Sequence, residues 1–389
     1  GACTILGEKM RAAAADAAFV NAVLGHSTLH EDFGGGGHPG TYIIPVALAV
    51  GEERGSAGKD IMIAVVTGYE AAARLTQAVP PEMMARGFRA VPALGVFGAA
   101  ATAGKIMGLT AEQMAAALDL AANMACGLYQ GFSEGTMEGY FHAGFSARNG
   151  ILAADLAAAG ADTSLLTLEG PHGFFQTFGG ARGNPEALLG AGVDFGIMDI
   201  LRKPFPACAL NQETMLLAAS LGRKSISAGD IDKVLIRRPR AGLNSFDAPG
   251  VRSDPPYTNM LQAQMAAKFT VVASLLGRPV EGVGYYRDSY GDPEVAEVAR
   301  RTELVAEARH RGAVEVYLKG GQKVEISADV TGELKPGTQT MREKFQHLAS
   351  AVLGSRTKEV LAAIMDLDRV HNICDLTVLL SGEICSRTP

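Results

Sequence analysis

The chain has 389 residues, of which 48% are hydrophobic and 20% charged, and its formal net charge is -6. This composition is typical of a mildly acidic globular protein with room for two or three domains of about 150 residues each. The acidic balance and the lack of a basic patch argue against a nucleic-acid partner. Five scattered cysteines, without metal-site spacing, predict a reducing cytoplasmic location and no bound metal. The apolar segment at 96–103 is too short to cross a membrane, so we expect a buried helix and no membrane partner.

Residues 1–201 are rich in alanine, and their apolar residues recur at helical spacing between glycines. Thr110 and Gln113 have capping-box spacing, which predicts that a helix begins beside them. The pattern predicts a helical domain with helices at 64–78, 93–107, 111–124 and 144–159.

A polar stretch, the His-rich loop of residues 26–40, lies between two apolar segments with helical spacing. It contains three histidines, two acids and four consecutive glycines: His26, His30, Glu31, Asp32, Gly34, Gly35, Gly36, Gly37 and His38. The glycines predict a break in the helix, because each costs about 1 kcal/mol relative to alanine. Titratable groups held between apolar walls are typical of an active site, and His38 stands directly before the turn signal Pro39-Gly40.

The pattern changes at residues 202–206, where two prolines end any helix. Alternating apolar and polar residues then predict strands at 233–238, 312–319 and 323–327, the last two joined by a hairpin turn at Gly320-Gly321. Helical spacing predicts helices at 212–221, 260–276, 293–301, 341–353, 358–365 and 373–380.

These elements predict a mainly α fold. A large all-helical domain would span residues 1–201, and an inserted α+β lid domain would span residues 202–337. Residues 338–389 would form C-terminal helices that return to the helical domain.

Short motifs follow one another in a fixed order. They are His38-Pro39-Gly40, Arg86-Gly87-Phe88, Gly135-Thr136 with His142-Ala143-Gly144, Leu168-Glu169-Gly170, Lys203-Pro204-Phe205-Pro206-Ala207-Cys208 and Glu343-Lys344-Phe345. Each is weak alone, but in this order the set resembles the MmgE/PrpD family over nearly the whole sequence. The resemblance implies homodimers and cofactor-independent chemistry on small di- or tricarboxylates, in a site between a helical domain and an α+β lid. It also implies that the helical domain here lacks the helices that usually precede the first motif.

Several positions depart from the residues that this family usually has. The resemblance implies an acid, a histidine, a lysine, a histidine and a tyrosine at the positions of Leu29, Arg89, Gly139, Gln212 and Phe269. Much of the usual acid–base set is therefore missing. The chain is expected to be a divergent member whose substrate carries fewer carboxylates.

The remaining polar residues form the candidate site. The catalytic candidates are His38, whose ordinary pKa is near neutral, with His142, Asp32 and Tyr140. The substrate-binding candidates are Arg89, Glu31, Lys203 and Gln212, since cations hold carboxylates and stabilise enolate-like charge.

Most of these candidates also have a structural alternative. His38 could simply hydrogen-bond the backbone of its own loop. His142 could be a buried histidine with satisfied hydrogen bonds, and Tyr140 could be a packing residue. The acids Glu31 and Asp32 could orient a histidine or cap a helix, and Arg89 could pair with a structural acid.

The favoured function is a cofactor-independent lyase, of dehydratase or decarboxylase type, that acts by proton transfer next to a carboxylate of a small di- or tricarboxylate. One alternative is an isomerase or epimerase of the same family. The other is a catalytically silent relative that binds a metabolite in the same cleft.

Overall fold

The protein is seen here in a computed structural model that describes residues 1–189, 195–222, 226–241 and 246–382. The described part is mainly α-helical, as predicted. Its first half contains β1 (Cys3–Thr4), β2 (Arg11–Ala12), α1 (Ala14–His26), β3 (Asp32–Phe33), α2 (Gly40–Arg54), α3 (Gly58–Ala78), α4 (Glu82–Ala85), α5 (Ala90–Met107), α6 (Ala111–Asn123), α7 (Gln130–Glu134) and α8 (Glu138–Ala158). The four helices predicted in this half correspond to α3, α5, α6 and α8.

Helix α5 is the central core element of this half. Its residues 91–104 are all buried, and it packs against both α3 and α8. Small residues allow the close approach: a Cβ on Gly150 of α8 would lie 2.4 Å from the Ala99 Cβ. Among the described helices, α5 alone is long and apolar enough to cross a membrane, but 78% of that segment is buried inside the protein. The predicted buried helix at 96–103 is confirmed.

Helix α6 begins where the sequence predicts. Gln113 N donates to Thr110 Oγ1 at 3.2 Å, and Thr110 N donates to Gln113 Oε1 at 3.0 Å. This capping box satisfies two N–H groups at a helix start that would otherwise lack intrahelical acceptors.

The second half combines a sheet with helices. It contains β4 (Leu201–Arg202), α9 (Gln212–Gly222), β5 (Ile231–Pro239), α10 (Met260–Met265), α11 (Ala267–Leu275), α12 (Val283–Ser289), α13 (Pro293–Arg300), β6 (Thr302–Glu307), β7 (Ala313–Leu318), β8 (Lys323–Ile326) and α14 (Thr331–Leu334). The sheet order is β6-β5-β7-β8, with β5 parallel to β6 and antiparallel to β7. The predicted hairpin at Gly320-Gly321 is confirmed, and Leu318 N donates to Gln322 O across it at 2.9 Å.

The single helix predicted at 260–276 is wrong, because α10 and α11 are separated at Ala266, whose backbone is extended. The carbonyl of Gln264 instead accepts a hydrogen bond from Cys208 N at 2.9 Å. A residue distant in sequence thus satisfies a carbonyl at the end of α10. Apolar spacing continues across this break, so the sequence pattern alone does not show it.

Three helices end the described chain: α15 (Thr338–Leu353), α16 (Thr357–Met365) and α17 (Cys374–Leu380). They correspond to the three predicted C-terminal helices. Val360, Ile373 and Leu376 pack with Ala47 of α2 and Ile61 of α3 in one apolar cluster. The C-terminal helices therefore contact the helical first half, while the boundaries at 201 and 337 remain predictions.

Candidate active site

A cavity of about 580 Å³ is lined by residues from both halves of the chain. Pockets of this size commonly hold small-molecule ligands. One wall comes from the His-rich loop and from residues 203–212, which we call the proline segment. Strands β3 and β4 pair antiparallel and join these two segments. The other wall comes from residues 79–84 and from the beginning of α5.

The four glycines of the His-rich loop form a closed turn, consistent with the predicted break in helix. Gly34 N donates to Gly37 O at 3.0 Å, and Gly37 N donates to Gly34 O at 2.9 Å. Gly37 has a φ of 100°, and a Cβ there would lie 2.9 Å from Val91 Cγ2. A side chain is disfavoured both by the positive φ and by the close approach to α5. The turn brings the main chain to the cavity wall directly before His38.

His38 is one of the residues that line the cavity. Its Nδ1 lies 2.8 Å from the Asp32 carbonyl oxygen and 3.2 Å from Glu31 Oε1. Since both neighbours are acceptors, Nδ1 carries the proton and Nε2 keeps its lone pair. Nε2 has no partner among the described residues, and 15% of the side chain remains exposed. Burial, and then the ammonium of Lys203, lower the pKa of His38 well below its ordinary value, so the ring is neutral at pH 7.

Glu31 and Lys203 form a buried ion pair beside His38. Lys203 Nζ lies 2.7 Å from Glu31 Oε1 and donates to the Leu29 carbonyl at 3.0 Å. Burial acts to raise the pKa of Glu31, but the Lys203 ammonium and the neighbouring His38 and His26 together outweigh it and hold this pKa well below its ordinary value. Lys203 also lines the cavity, where its charge is already balanced by Glu31.

Arg89 connects two buried histidines at the cavity wall. Its Nη2 donates to His26 Nε2 at 2.8 Å, and its Nη1 donates to Gly139 O at 2.9 Å and lies 3.3 Å from His142 Nδ1. The guanidinium carbon lies 4.0 Å from the centre of the Phe132 ring. Burial lowers the pKa of Arg89 to about 10, so the group stays charged at pH 7. No carboxylate among the described residues forms an ion pair with it.

His26 is a residue of this site that the sequence does not single out. Its ring is fully buried, and its Nδ1 lies 3.3 Å from Glu31 Oε1 while its Nε2 accepts from Arg89. Burial lowers the pKa of His26 to about 4, so the neutral ring links the carboxylate to the guanidinium. The only signal in the sequence is its place in the His-rich loop, which His30 shares. No group of three or more His, Cys, Asp and Glu in the described part is arranged to hold a metal ion.

Asp32 belongs to the His-rich loop but does not line the cavity, and its side chain bonds other parts of the protein. Its Oδ1 accepts from Gly40 N at 3.0 Å, and its Oδ2 accepts from the Tyr69 hydroxyl at 2.5 Å. Burial raises the pKa of Asp32 in spite of these two hydrogen bonds. Its carbonyl holds Nδ1 of His38, so the residue fixes the orientation of that ring.

Three other predicted site residues lie behind the cavity wall. Gln212 is fully buried, and its amide bonds the backbone of Phe205 and two further carbonyls of the proline segment. Tyr140 lies in the apolar core, where burial raises its pKa to about 12. His142 is 4% exposed, and burial followed by the charge of Arg89 lowers its pKa to about 3.

Lys344, from the motif Glu343-Lys344-Phe345, reaches the same wall from α15. Its Nζ donates to the Lys203 carbonyl at 2.8 Å and to the His30 carbonyl at 3.3 Å. Burial lowers the pKa of Lys344 to about 8, against the attraction of Glu31. The lysine thus ties α15 to the His-rich loop and the proline segment together.

Two of the unexpected residues have visible packing reasons. A Cβ on Gly139 would lie 2.5 Å from Phe132 Cε2, so the phenyl ring occupies the space beside this glycine. Leu29 lines the cavity with 2% exposure and a φ of 52°. Leu29 and the ring of Phe132 therefore give the cavity an apolar lining near the two positions where the resemblance implies charged residues.

Comparison with known proteins gives a consistent result. The MmgE/PrpD N-terminal domain matches residues 1–186, and the MmgE/PrpD C-terminal domain matches residues 205–368. The cis-aconitate decarboxylase of Aspergillus terreus (strain NIH 2624 / FGSC A1156) is 24% identical over 99% of this chain and 85% of its own length. The Homo sapiens enzyme of that name is 27% identical over 96% and 81%, and the Mus musculus enzyme is 25% identical over 94% and 78%. These relatives support a lyase-type activity. The two matched domains and the ordered motifs show that the chain belongs to the MmgE/PrpD family, as a divergent member.

Proposed function

We propose that this protein is a lyase that transfers a proton at a carbon next to a carboxylate of a small carboxylic acid, with His38 as the catalytic residue. The observation that carries the proposal is the geometry of His38. Its Nδ1 proton is held by Asp32 O and Glu31, so its Nε2 is available to a substrate in the cavity. The relatives named cis-aconitate decarboxylase favour the decarboxylase type over the dehydratase type.

Arg89 is the proposed anchor for a substrate carboxylate. Its N–H groups on Nε and one on Nη2 have no acceptor among the described residues, and such a pair suits a bidentate carboxylate. In decarboxylation the C–C bond breaks, CO2 leaves, and Nε2 of His38, which is neutral in the resting site, passes a proton from solvent to the carbon that gains the electron pair. In dehydration Nε2 removes the proton and hydroxide leaves. In both reactions the positive charge of Arg89 stabilises the enolate-like intermediate.

An epimerase of the same family is the less supported alternative. Such an enzyme needs a second proton-transfer group on the opposite side of the reacting carbon. Tyr129 and Cys208 also line the cavity, but burial raises the pKa of both, and Lys203 is held by Glu31. At neutral pH these groups are poorly suited to be the second proton-transfer group. The lining of the cavity therefore favours proton transfer on one side of the reacting carbon.

The proposal is tested by following substrate deuteration and product formation by NMR in deuterated buffer. The substrates are a panel of unsaturated and hydroxylated carboxylates that includes cis-aconitate. We expect His38→Gln to lower the rate by about 10²–10⁴-fold, the usual contribution of a positioned acid–base group. His30→Gln is the matched control from the same loop, because the His30 ring bonds the Pro204 carbonyl and does not line the cavity.

The outcomes separate the alternatives. Equal loss in both variants would mean that the loop fold, rather than His38, is being measured. Inversion at a stereocentre without loss of CO2 or water would favour the epimerase. Binding of a carboxylate without exchange or turnover would favour a catalytically silent relative.

We also propose that the enzyme works without a cofactor, as a homodimer, in the cytoplasm. These features follow from the family resemblance and from the composition of the chain. Activity that survives dialysis against a chelator, and a dimer mass in light scattering, would support the first two. Fractionation of cells would test the third.

A further inference from the structure

We infer that the cavity selects a carboxylate with an apolar substituent and fewer than three carboxylates, rather than a compact tricarboxylate. This inference rests on the proposed function, since it names the substrate class of the same site. It follows from three observations: the charges of the polar residues at the cavity, the apolar side chains that form the rest of its lining, and its size.

The charge at the polar wall suits few carboxylates. Arg89 carries a positive charge that no described carboxylate pairs, whereas Lys203 is balanced by Glu31 at 2.7 Å. His38 hydrogen-bonds through Nδ1 and is neutral. Lys344 Nζ is held by the Lys203 and His30 carbonyls, and Lys344 does not line the cavity. A substrate with three carboxylates would bring more negative charge than these groups can neutralise in a poorly hydrated site.

The rest of the lining, which we call the apolar wall, consists mainly of hydrocarbon and thioether side chains. It includes Val79, Met83 and Met84 beside the first turn of α5, with Leu210 and Met265 contributed by the second half. These side chains cannot hydrogen-bond a carboxylate, so a charged group placed against them would lose its hydration without compensation. An alkyl chain in the same place gains about fourfold in binding for each methylene buried.

The cavity is large enough for such a chain. Its volume of about 580 Å³ lies in the range that holds drug-sized ligands. A compact polycarboxylate anchored at Arg89 would leave most of the apolar wall in contact with water. A flexible methionine such as Met84 can adapt to chains of different length.

The test compares maleates that differ only in the substituent on one alkene carbon: methyl, butyl or carboxymethyl. The carboxymethyl compound is cis-aconitate itself, so the series exchanges an apolar tail for a charged one on a constant dicarboxylate. Binding is measured by calorimetry on the full chain at pH 7.5. We expect butylmaleate to bind at least about tenfold more tightly than methylmaleate and than cis-aconitate.

A charge-inserting pair of variants checks that the apolar wall causes the preference. Met84→Lys places a cation on that wall at a residue that is 49% exposed and therefore tolerant of substitution. It should reduce or reverse the preference for butylmaleate over cis-aconitate. Met137→Lys adds the same charge at a residue that is 66% exposed and does not line the cavity, and it should leave the preference unchanged.

The outcomes distinguish this inference from the proposed function. Tighter binding of cis-aconitate than of butylmaleate, or a preference that Met84→Lys leaves intact, would overturn the inference even if cis-aconitate is turned over. Tight binding of butylmaleate with no exchange or turnover of any compound would support the ligand class and overturn the lyase proposal. Failure of all three compounds to bind would overturn both.

Discussion

The His-rich loop and the proline segment form one wall of the cavity, yet they use their polar atoms differently. In the His-rich loop, the cavity-lining residue His38 has a ring nitrogen, Nε2, with no partner among the described residues. In the proline segment, the ammonium of Lys203 is taken by Glu31 and by the Leu29 carbonyl, and the amide of Gln212 is taken by backbone groups.

This difference separates two tasks that a polar residue near a cavity can perform. A residue at the cavity with a polar atom that has no protein partner can react with a ligand. A residue whose polar atoms all bond to the protein instead holds the neighbouring charges and backbone in position. Substitutions in the proline segment should therefore mainly reduce stability, and His38→Gln should mainly reduce the rate.

The largest loss of stability is expected for Lys203→Met. It leaves the carboxylate of Glu31 buried beside neutral histidines, and breaking a buried ion pair in this way typically costs about 3–5 kcal/mol. Urea unfolding measures the loss. Glu31→Gln added to Lys203→Met should recover part of it, because the unpaired charge is then removed.

The matched control is Lys233→Met, which breaks a pair with Glu303 whose side chains are 40% and 60% exposed. An exposed pair contributes at most about 1 kcal/mol. Equal losses for the two lysine variants would show that the buried pair of Lys203 and Glu31 contributes no more to the free energy of unfolding than an exposed pair.

The next largest loss is expected for Gln212→Leu. The amide accepts from Phe205 N at 3.1 Å and donates to three carbonyls, those of Phe205, Ala207 and Cys208. Phe205 O and Cys208 O also accept from Ala207 N and Asn211 N, so the loss falls mainly on Phe205 N and Ala207 O. A buried group left without a partner costs about 1–3 kcal/mol, so we expect a total near 3 kcal/mol. Gln339→Leu, on the exposed face of α15, should change the free energy of unfolding by less than about 0.5 kcal/mol. A Gln212 variant as stable as this control would contradict the role assigned to the amide.

The fold was largely predictable where the information is local. The capping box at Thr110 and the turn at Gly320-Gly321 depend on residues a few positions apart, and both predictions are confirmed. The sequence does not predict β6 (Thr302–Glu307), because only its parallel pairing with β5 defines it. The sequence does not show the break at Ala266 either, because the Cys208 N–H that bonds the nearby Gln264 carbonyl is far away in the sequence.

The candidate site was less predictable for the same reason. Composition and motif order single out His38 and Arg89, and both residues line the cavity. They do not show which polar atoms hydrogen-bond to other groups of the protein. The sequence therefore does not separate Asp32 and Gln212 from the residues that line the cavity. His26 was left out because its role depends on Arg89, which is distant in the sequence.

Acid should destabilise the protein through the buried histidines beside Arg89. His26 and His142 are buried, with pKa values lowered to about 4 and about 3, whereas in the unfolded chain they titrate near 6.5. Between about pH 6.5 and 4 the unfolded state therefore binds more protons than the folded state, and stability falls as the pH falls. Each such histidine contributes up to about 1.4 kcal/mol per pH unit.

Urea unfolding between pH 7 and pH 4.5 measures this slope. His26→Gln should reduce the slope of the unfolding free energy against pH by up to about 1.4 kcal/mol per pH unit, even if it lowers stability at pH 7. A slope that is unchanged in this variant would mean that His26 does not remain neutral in the folded protein.

The smallest effect is expected where the two segments are tied together by a neutral hydrogen bond. His30 Nε2 lies 2.9 Å from the Pro204 carbonyl oxygen, so the ring donates across from the His-rich loop to the proline segment. His30→Leu removes the donor and should cost about 1 kcal/mol in the free energy of unfolding. The rate per folded molecule should be unchanged, because neither His30 nor Pro204 lines the cavity. A large fall in rate with this small loss of stability would mean that the relative position of the two segments, and not only the orientation of His38, limits the reaction.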